Sequence, residues 1–325
     1  MRVPKTGPPL VTVIVLNYNG KAYIKRCLDS LFRNDYANFE VLVIDNNSAD
    51  GSAEMAHQLF NTKARFTLIR NPKNLGFSAG NNIGFMRSSA RYVIVLNNDT
   101  EVEKNFVKTL VNVAESDEQI GSVGCKIVQL DGRILYGPVY MSYGFIVHAL
   151  DRRTYDRSIV NLANCGCATL FRKSLIDRIG GFDSYLWTDW EDHDLGYRTN
   201  IAGFKCVYTP ETTVLHLGGG GYLGMSEERA IRIFRNKLLT YVKNYQAKNL
   251  LLRFSLILML ESLIKIKNGK SNHLFSGIAQ FLRMVKPIVS ERKEVQKNRS
   301  VSDNDIFTKC SLPERMSFWI SLKLS

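Results

Sequence analysis

The sequence is poor in cysteine, and its few cysteines are not spaced like metal ligands. The chain has 325 residues and 6 cysteines, at positions 27, 125, 165, 167, 206 and 310. They form no CxxC pairs, and the single residue between Cys165 and Cys167 is a poor match to the spacing of a zinc site. Most of them lie within apolar runs, where a reduced and buried thiol is expected. The pattern argues against a zinc protein and indicates a reducing environment.

Long hydrophobic runs are also missing. The N-terminal stretch PPLVTVIVLNYNG holds a short apolar run that ends in polar residues without a small-residue cleavage site, so we expect no signal peptide. In the apolar C-terminal region, the run at residues 254–260 has 7 residues, far short of the roughly 20 that a membrane-spanning helix needs. We therefore expect an intracellular protein without a transmembrane helix.

Acidic residues are scarce in one region only. The chain has a formal net charge of +13, and residues 230–300 contain 15 Lys and Arg against 3 Asp and Glu. A basic region suits an anionic membrane, a nucleic acid or an acidic partner. Because no segment resembles a zinc finger or an aromatic-rich RNA-binding strand, the membrane is favoured and nucleic acid is not an expected partner.

This basic region is predicted to lie on a membrane rather than to cross it. The segments NLLLRFSLILMLESLIKIK and HLFSGIAQFLRMVKPIV mix large apolar residues with Lys and Arg. A pair of in-plane amphipathic helices over residues 246–290 is the favoured interpretation. Packing against the body of the protein or against a partner subunit is the alternative, which leaves a homo-oligomer open. Residues 291–325, with a start rich in charge, Ser and Asn, are predicted to form a flexible tail.

Residues 1–245 alternate β-rich runs with helical patterns, which is typical of an α/β domain. Strands are predicted at residues 10–17, 39–46, 65–71, 91–98 and 121–129, with helical patterns between them. Farther along, KCVYTPETTVLHL is predicted to form two short strands, Gly203 to close a helix and Ser226 to cap the next one. Continuous apolar strands between helices predict a mostly parallel sheet that is covered by helices on both faces. In such sheets, ligands bind beyond the carboxyl ends of the strands.

Polar residues gather at the predicted carboxyl ends of three strands. Asn17 ends the first strand, residues 45–47 end the second and residues 97–99 end the fourth. Each group alone fits a turn, because Asn and Asp favour turns, but three groups at one sheet edge favour a binding cleft. The Gly- and Asn-rich stretch at residues 74–84 lets backbone approach a ligand closely, although it is not the GxGxxG fingerprint of dinucleotide-binding domains.

The densest acidic cluster is WTDWEDHDLGYR, which has four carboxylates within six positions. Asp189 is a candidate helix cap, which leaves Glu191 and Asp192 in the first helical turn. One of these two, with a raised pKa and close to a substrate hydroxyl, could act as a general base. His216 ends a short strand and precedes four glycines. Together with Asp99 and a nucleotide diphosphate, it offers ligands that suit Mg²⁺ or Mn²⁺.

Six stretches, in this order, resemble family 2 glycosyltransferases of the GT-A fold, and among them the rhamnosyltransferase-like branch. They are VTVIVLNYNG, VLVIDNNSADGS, NLGFSAGNNIG, VLNNDTEV, GGFDSYLWTDWEDHDLGYRTNIAGF and VLHLGGG, within about residues 10–245. The resemblance implies a GT-A nucleotide-diphospho-sugar transferase domain over residues 1–245, which transfers a sugar with inversion. It also implies a hydroxyl acceptor on a glycan or lipid-linked glycan, in cell-surface polysaccharide synthesis. The basic C-terminal region leads us to expect this activity at the inner face of the cell membrane.

The resemblance further implies a role for each residue that matches these motifs. Asp192 corresponds to the catalytic base, whereas Asp99 and His216 correspond to contacts of a divalent cation, Mg²⁺ or Mn²⁺. The residues expected around the donor nucleotide are Asn17, Asp45, Asn47, Gly76, Asn81 and Asn98. Among them, Asp45 is expected to contact the nucleobase. Trp190 and Glu191 are expected to contact the acceptor or to support the site. Asn97 departs from the family pattern, because many relatives carry an Asp at that position.

Two other functions fit parts of the sequence. A sugar-phosphate nucleotidyltransferase also uses a nucleotide-binding α/β sheet, but it normally carries an N-terminal Gly-rich loop with Arg or Lys, which residues 10–25 lack. A non-catalytic, membrane-associated sugar-binding protein is the other alternative. Such a protein has no need to retain the set Asp45, Asp99, Asp192 and His216.

Overall fold

A computed structural model describes residues 7–142, 145–148, 155–218 and 225–311. The strands are β1 Val11–Asn17, β2 Phe39–Asp45, β3 Phe66–Arg70, β4 Tyr92–Asn97, β5 Thr100–Val102, β6 Ile120–Gln129, β7 Ile134–Tyr136, β8 Val139–Ser142, β9 Phe145–His148, β10 Ile159–Asn161, β11 Ala168–Arg172 and β12 Lys205–His216. The helices are α1 Ile24–Phe32, α2 Ser52–Phe60, α3 Gly76–Arg87, α4 Phe106–Glu115, α5 Lys173–Ile179, α6 Glu191–Ile201, α7 Glu227–Asn244, α8 Ala247–Asn249, α9 Ser255–Lys267, α10 Ser271–Lys297 and α11 Asp303–Lys309. A π-helical turn, Leu250–Phe254, joins α8 to α9.

The main sheet has the strand order β10-β12-β6-β11-β4-β1-β2-β3, with β5 paired to β12 and β7 paired to β6. Strands β4, β1, β2 and β3 run parallel, whereas β11 is antiparallel to both of its neighbours. In the register, Asn17 is opposite Asp45, and Leu16 is opposite Asn97. The polar strand ends predicted from the sequence therefore do meet at one edge of the sheet.

The alternating side chains of β1 show why this sheet needs helices on both faces. Val11, Val13 and Val15 pack on one face with residues of α1, α2 and α4. Ile14 packs on the other face with Phe85 of α3 and with apolar residues of α5 and α6. Since successive strand residues point to opposite faces, an unbroken run of Val and Ile buries both.

The region after residue 200 is more continuous than the sequence predicted. The stretch KCVYTPETTVLHL was expected to form two short strands, but β12 is one strand with a register irregularity between Thr209 and Thr213. Two other local predictions are confirmed. Ser226 caps α7 by accepting a hydrogen bond from the Arg229 N–H at 3.2 Å, and Gly203 follows α6 with a left-handed φ of 87°.

The prediction of a flexible tail is wrong for residues 291–311. Residues 291–297 continue α10, and the Arg292 guanidinium donates to the Val242 carbonyl at 2.7 Å at the end of α7. Asp303 of α11 is fully buried and accepts hydrogen bonds from the Gln246 N–H and from the Asn249 side chain. The charged and polar residues that suggested disorder here satisfy helix ends and buried backbone groups. Residues 312–325 lie outside the described part of the chain.

Helices α9 and α10 each pack one side against the rest of the described protein and expose the other side. Ile257, Leu274 and Ile288 are buried against α7 and its surroundings. Large apolar side chains on the same helices and on the π-helical turn are exposed: Leu251, Leu252, Leu256, Met259, Leu263, Ile266, Phe275, Leu282 and Val289. Over the described ranges, no helix combines the length and the apolar character needed to cross a membrane.

Candidate active site

Asn17, at the end of β1, organises one group of the predicted donor residues. Its side-chain Nδ2 donates to Asp45 Oδ1 at 2.8 Å and to the Ser52 hydroxyl at 2.8 Å. Its side-chain Oδ1 accepts a hydrogen bond from the Asn98 side-chain amide at 2.7 Å. Asp45 also accepts from the Ser48 hydroxyl at 2.6 Å. This network links the ends of β1, β2 and β4, and both Asn17 and Asp45 are buried. These residues fix the shape of a polar pocket, since few of their hydrogen-bonding positions remain open.

A second group of predicted donor residues surrounds the start of α3. Gly76 has a left-handed φ of 78°, and a Cβ there would lie 2.4 Å from the Trp187 ring, so both its conformation and its contact require glycine. The Gly76 carbonyl accepts a hydrogen bond from the Asn46 side-chain amide at 2.9 Å. Asn46 is buried and was not among the site residues predicted from the sequence. Asn47 is exposed with a φ of 65°, whereas Asn81 is buried and its Oδ1 has no hydrogen-bond donor.

A cleft of about 240 Å³ collects the residues predicted for chemistry. Asp99, Asp192 and His216 line it, and so do Trp190 and Glu191. The other lining residues include Asn97, Phe77, Cys165, Gly166, Thr188, Asp189, His193 and Arg229. The predicted site residues thus lie in two places, this cleft and the donor groups around Asn17 and Gly76. The adjacent residues Asn98 and Asp99 connect the two, because Asn98 contacts Asn17 and Asp99 lines the cleft.

Pairing of β5 with β12 brings Asp99 and His216 together, because Thr100 is opposite His216 in the register. His216 Nε2 lies 3.6 Å from Asp99 Oδ1. His216 Nδ1 lies 3.0 Å from the Gly218 carbonyl oxygen, and since a carbonyl only accepts, Nδ1 carries a proton. Nε2 faces Asp99 Oδ1, a carboxylate oxygen that has no hydrogen-bond partner. Burial raises the pKa of Asp99, and the nearby His216 opposes this rise.

A carboxylate oxygen without a hydrogen-bond partner and an imidazole nitrogen, 3.6 Å apart, are both groups that bind divalent cations. Within the described ranges, no cluster of three or more His, Cys, Asp or Glu side chains is arranged to hold a metal ion. Two protein ligands suffice for Mg²⁺ or Mn²⁺ when substrate phosphates and water complete the coordination. Asp99 and His216 therefore fit a divalent cation that is shared with a diphosphate.

The adjacent acids Glu191 and Asp192 have opposite pKa shifts. Burial raises the pKa of Glu191 well above its ordinary value, the Asp192 charge raises it further, and Glu191 Oε2 has no hydrogen-bond partner. Burial also disfavours the charge of Asp192, but His193 and hydrogen bonds from the Gly166 and His193 N–H groups outweigh it and lower its pKa. Asp192 is therefore the ionised carboxylate of the cleft, whereas the sequence led us to expect a base with a raised pKa.

The loop before α6 has an unusual backbone. Trp187, Asp189 and Trp190 have left-handed φ values of 61°, 66° and 78°, a conformation that costs side-chain-bearing residues roughly 1–3 kcal/mol each. Asp189 does not cap α6. Its carboxylate instead accepts hydrogen bonds from Arg229 at 2.9 Å and from Arg232 at 2.8 Å, both on α7.

Asn236 of α7 holds the same loop through its backbone. The fully buried Asn236 amide donates to the carbonyls of Leu186, Thr188 and Asp189 at distances of 2.6–3.0 Å. Arg235 in turn donates to Asn236 Oδ1 at 2.8 Å. This part of α7 fixes the strained loop that leads into Glu191 and Asp192.

Two histidines that were not predicted from the sequence lie beside Asp192. His193 contacts the Asp192 carboxylate, and His148 contacts His193. His193 Nδ1 lies 2.6 Å from Asp192 Oδ1, and its Nε2 lies 3.2 Å from His148 Nε2. The Trp190 ring stacks on the His193 ring at 4.3 Å between centroids. The position of His193 beside Asp192 was visible in the motif WEDHD, but nothing in the sequence pointed to His148, 45 residues earlier.

A family model supports the resemblance inferred from the motifs. The model described as Glycosyl transferase family 2 matches residues 12–180, which is more than half of the chain. The chain belongs to glycosyl transferase family 2. The match includes the donor-side residues and Asp99 and ends before Asp192 and His216, and the roles of all these residues stay predictions.

Several curated relatives resemble this family 2 chain over part of their length. The O-antigen biosynthesis protein RfbC of Myxococcus xanthus is 27% identical over 232 residues, covering 66% of this chain and 18% of RfbC. Glycosyltransferase GlyA of Streptococcus pneumoniae is 31% identical over 157 residues, covering 47% of this chain and 20% of GlyA. This family 2 chain thus spans about a fifth of the length of either relative.

Solved structures of glycosyltransferases share the fold of this family 2 chain. The mannosyltransferase PcManGT of Pyrobaculum calidifontis, in complex with GDP-Man and Mn²⁺, superposes with a TM-score of 0.60 at 17% identity and covers 85% of this chain and 88% of its own. S. aureus TarS 1-349 in complex with UDP superposes with a TM-score of 0.54 at 15% identity and covers 89% of this chain and 88% of its own. The predicted GT-A fold is confirmed.

Proposed function

We propose that this chain transfers a sugar from a nucleotide diphosphate donor to a hydroxyl acceptor with inversion at the anomeric carbon. One observation carries the proposal: a single cleft holds the ionised Asp192 together with the Asp99–His216 pair. A base and a diphosphate site in one cleft are what a single-displacement transfer needs. No enzyme nucleophile is required, because the acceptor oxygen attacks the anomeric carbon directly.

Each part of the cleft has a task in this reaction. Asp192 takes the proton from the acceptor hydroxyl as its oxygen attacks the face opposite the leaving group. Asp192 Oδ1 accepts two hydrogen bonds from His193, whereas Oδ2 accepts one from the Gly166 N–H, so Oδ2 has the greater remaining capacity for that proton. A divalent cation bound by Asp99 and His216 supplies stabilisation of the negative charge on the departing diphosphate.

The donor nucleotide is proposed to lie along the ends of β1, β2 and β4. Asn17, Asp45 and Asn98 provide a fixed polar wall there, and Asp45 is proposed to contact the nucleobase. The close packing of Gly76 against Trp187 joins this wall to the loop that leads into Asp192. The sequence resemblance favours deoxythymidine-diphosphate rhamnose as the donor. PcManGT in complex with GDP-Man and TarS in complex with UDP support the general class of nucleotide-bound sugar donors.

The acceptor is proposed to be a growing lipid-linked glycan at the cytoplasmic face of the cell membrane. Two features of helices α9 and α10 support this location. The outer side of these helices and the π-helical turn before α9 expose large apolar side chains, among them Phe275, Leu282 and Leu251. Residues 230–300, which include both helices and most of α7, hold 15 Lys and Arg against 3 Asp and Glu, which favours an anionic membrane surface. RfbC, named for O-antigen biosynthesis, fits a role in polysaccharide synthesis.

A donor panel tests the proposed activity. The protein is incubated with nucleotide sugars, a lipid-linked glycan acceptor and Mn²⁺, and released nucleoside diphosphate and glycosylated product are measured. We expect product from one donor, with a new linkage of opposite anomeric configuration by NMR. Release of pyrophosphate from a nucleoside triphosphate and a sugar phosphate would instead identify a nucleotidyltransferase. Binding of donors without turnover of any would favour the sugar-binding alternative.

Asp192→Asn and Glu191→Gln form a matched pair for the base. Both remove one carboxylate from the same helical turn. We expect Asp192→Asn to fold, bind donor and lose about 10²–10⁴-fold in kcat, the usual contribution of general base catalysis. Glu191→Gln imitates the protonated acid that burial already favours, so kcat is expected to stay within about threefold of the parent value. Substantial turnover by Asp192→Asn contradicts the assignment of the base.

A further inference from the structure

The residue next to the proposed base makes contacts that lead from the cleft to a β-hairpin. His193 is buried on α6, and both its backbone N–H and its ring Nδ1 contact Asp192 Oδ1, at 2.8 and 2.6 Å. Its Nε2 lies 3.2 Å from Nε2 of His148, which ends strand β9. Asp192, His193 and His148 therefore form one continuous hydrogen-bonded chain, which the transfer mechanism above does not use.

The chemistry of the three groups fixes most of the proton positions. An ionised carboxylate only accepts, so the proton between Asp192 and His193 is on Nδ1 of His193. Burial, together with the nearby His193, lowers the pKa of His148 to about 3, and His148 is neutral at physiological pH. The Nε2 atoms of His148 and His193 share the second hydrogen bond, and the tautomers of the two rings decide which of them donates.

The surroundings keep the His193 ring in place. The Trp190 ring stacks on it with an interplanar angle of 12°, and the Lys237 ammonium lies 5.5 Å from the centroid of the Trp190 ring. Lys237 also pairs with Glu261 of α9. Among the described residues, the charged and titratable groups around this chain thus include Asp192 and Glu191 on α6 and Lys237 on α7. Tyr136 on β7 lies beside His148 on β9, and Glu261 on α9 pairs with Lys237. The ring cannot turn away from Asp192 without losing both the stack and the contact with His148.

We propose that His193 is a positioning residue, which orients the Asp192 carboxylate and sets its basicity, and that His148 holds the His193 ring through its Nε2. This inference rests on the proposed transfer with Asp192 as base. In that step the acceptor O–H bond breaks and its proton goes to Asp192 Oδ2. The acceptor oxygen bonds to the anomeric carbon, and the bond to the diphosphate breaks with its electron pair on the leaving oxygen. His193 keeps Oδ1 occupied throughout, so Oδ2 receives the proton.

Variants of the two histidines separate positioning from general structural support. His193→Leu removes the N–H at Oδ1, whereas His193→Asn retains a side-chain N–H near the position of Nδ1 but loses the contact with His148. We expect His193→Leu to lower kcat about 10- to 100-fold with the donor KM within about twofold, and His193→Asn to recover part of that loss. His57→Leu, which removes an exposed histidine from α2, is the matched control.

The pH profile gives a readout that a merely structural role does not move. The acidic limb of kcat/KM reports ionisation of the base in the free enzyme. Without the N–H from His193, burial dominates and the pKa of Asp192 rises, so in His193→Leu this limb moves to higher pH. His193→Asn is expected to return it part of the way. An unchanged kcat and an unchanged limb in His193→Leu would overturn the inference while leaving the proposed function in place, provided that Asp192→Asn is inactive.

A measurement without substrate tests the same chain if no donor is turned over. The protein has 5 histidines, so ¹⁵N-histidine NMR with single variants assigns each ring and its tautomer. We expect His193 to be protonated at Nδ1 at pH 7, and its Nε2 signal to change in His148→Leu but not in His57→Leu. His148→Gln, which retains a nitrogen near Nε2, is expected to give a smaller change. A His193 ring that is bare at Nδ1, or indifferent to His148, overturns the inference.

Discussion

Asn97 lines the same cleft as Asp99 and His216 and occupies the first position of what is an Asp-x-Asp motif in many relatives. The cleft therefore offers a cation one carboxylate and one imidazole nitrogen, and substrate phosphates must complete the coordination. At the scale of the residue, Asn97 is therefore expected to affect how strongly the proposed site binds a metal ion. It is not expected to affect which residue acts as the base.

Asn97→Asp is predicted to lower the Mn²⁺ concentration that gives half-maximal activity by about tenfold. An added unit charge close to the ion contributes on the order of 1 kcal/mol or more in a partly solvated cleft. Donor turnover at increasing Mn²⁺ measures this, and chelation by EDTA is expected to abolish transfer by both proteins. Asn112→Asp, on the exposed side of α4, is the control for a change in net charge. Equal Mn²⁺ dependence of all three proteins contradicts a metal site at Asp99.

At the scale of the element, α7 holds the strained loop that carries Asp189 and Trp190. Its Asn236 amide satisfies three loop carbonyls, and its arginines neutralise Asp189. Left-handed residues persist only where the surroundings determine their conformation strongly. The loop and the helix thus act as one unit, although 40 residues separate Asp189 from Arg229 in the sequence.

Asn236→Ala is predicted to destabilise the protein by about 2–4 kcal/mol, since a buried polar group left without its partner costs roughly 1–3 kcal/mol. Denaturant unfolding measures the loss. Donor turnover is expected to fall as well, because the loop leads directly into Glu191 and Asp192. Asn112→Ala removes an exposed asparagine and is expected to stay within about 0.5 kcal/mol of the parent protein. Similar stability of the two variants would show that the loop needs no support from α7.

A buried ionic cluster joins α10 to the catalytic body. The Lys243 ammonium donates to Asp183 and to Asp194 Oδ2, and it lies 3.5 Å from Glu291 Oε2. Arg198 adds a second cation at Asp194. Three carboxylates thus share two cations, and Glu291 is the most exposed of the three. Burial and the negative charge of Asp183 and Asp194, opposed by Lys243, raise the pKa of Glu291 to about 7.

Glu291→Gln is predicted to change the pH dependence of stability. The pKa of Glu291 is higher in the folded state than its ordinary value of 4.5, so the folded protein binds this proton more tightly than the unfolded chain does. The resulting stabilisation is complete below about pH 4.5 and is lost as pH rises through about 7. We therefore expect the variant to have a higher Tm than the parent at pH 8. Glu294→Gln, at an exposed site on α10, is expected to leave the difference between pH 5 and pH 8 unchanged.

At the scale of the whole molecule, helices α9 and α10 are both part of the folded body and a candidate membrane surface. Removal of residues 250–325 would expose the partners of Ile257 and Ile288, so loss of membrane binding after such a deletion has two explanations. Substitutions confined to the exposed side avoid this ambiguity, because they leave the buried side of both helices intact.

The variant Leu251→Ser/Phe275→Ser/Leu282→Ser is predicted to bind vesicles of phosphatidylglycerol at least about tenfold more weakly than the parent. Burial of each large apolar side chain contributes roughly 1.5–3 kcal/mol at full depth, and interfacial insertion retains part of that. Sedimentation with vesicles measures binding. The matched control, Leu59→Ser/Met86→Ser/Leu130→Ser, removes exposed apolar side chains elsewhere and is expected to bind normally. Equal binding by both variants contradicts the proposed surface.

The amino-acid sequence by itself determined the elements and the edge of the sheet that carries the site. Runs such as VTVIV have the composition of strands buried on both faces, and Asn17, Asp45 and Asp99 follow them because local turn chemistry and strand ends coincide. Such information is local, since it depends on neighbours within a few residues. It therefore predicted which carboxylates reach the cleft and that Ser226 begins a helix.

Only the tertiary structure decided what each polar group contacts. Asp189 was expected to cap a helix but pairs with arginines of α7, and the residues after 290 were expected to be flexible but satisfy the end of that helix. Asp192 has a lowered pKa because His193 and the Gly166 N–H offset its burial, and His148 reaches His193 from another strand. Charge and hydrogen bonding depend on distance in space rather than along the chain, and that distance is fixed only when the elements pack.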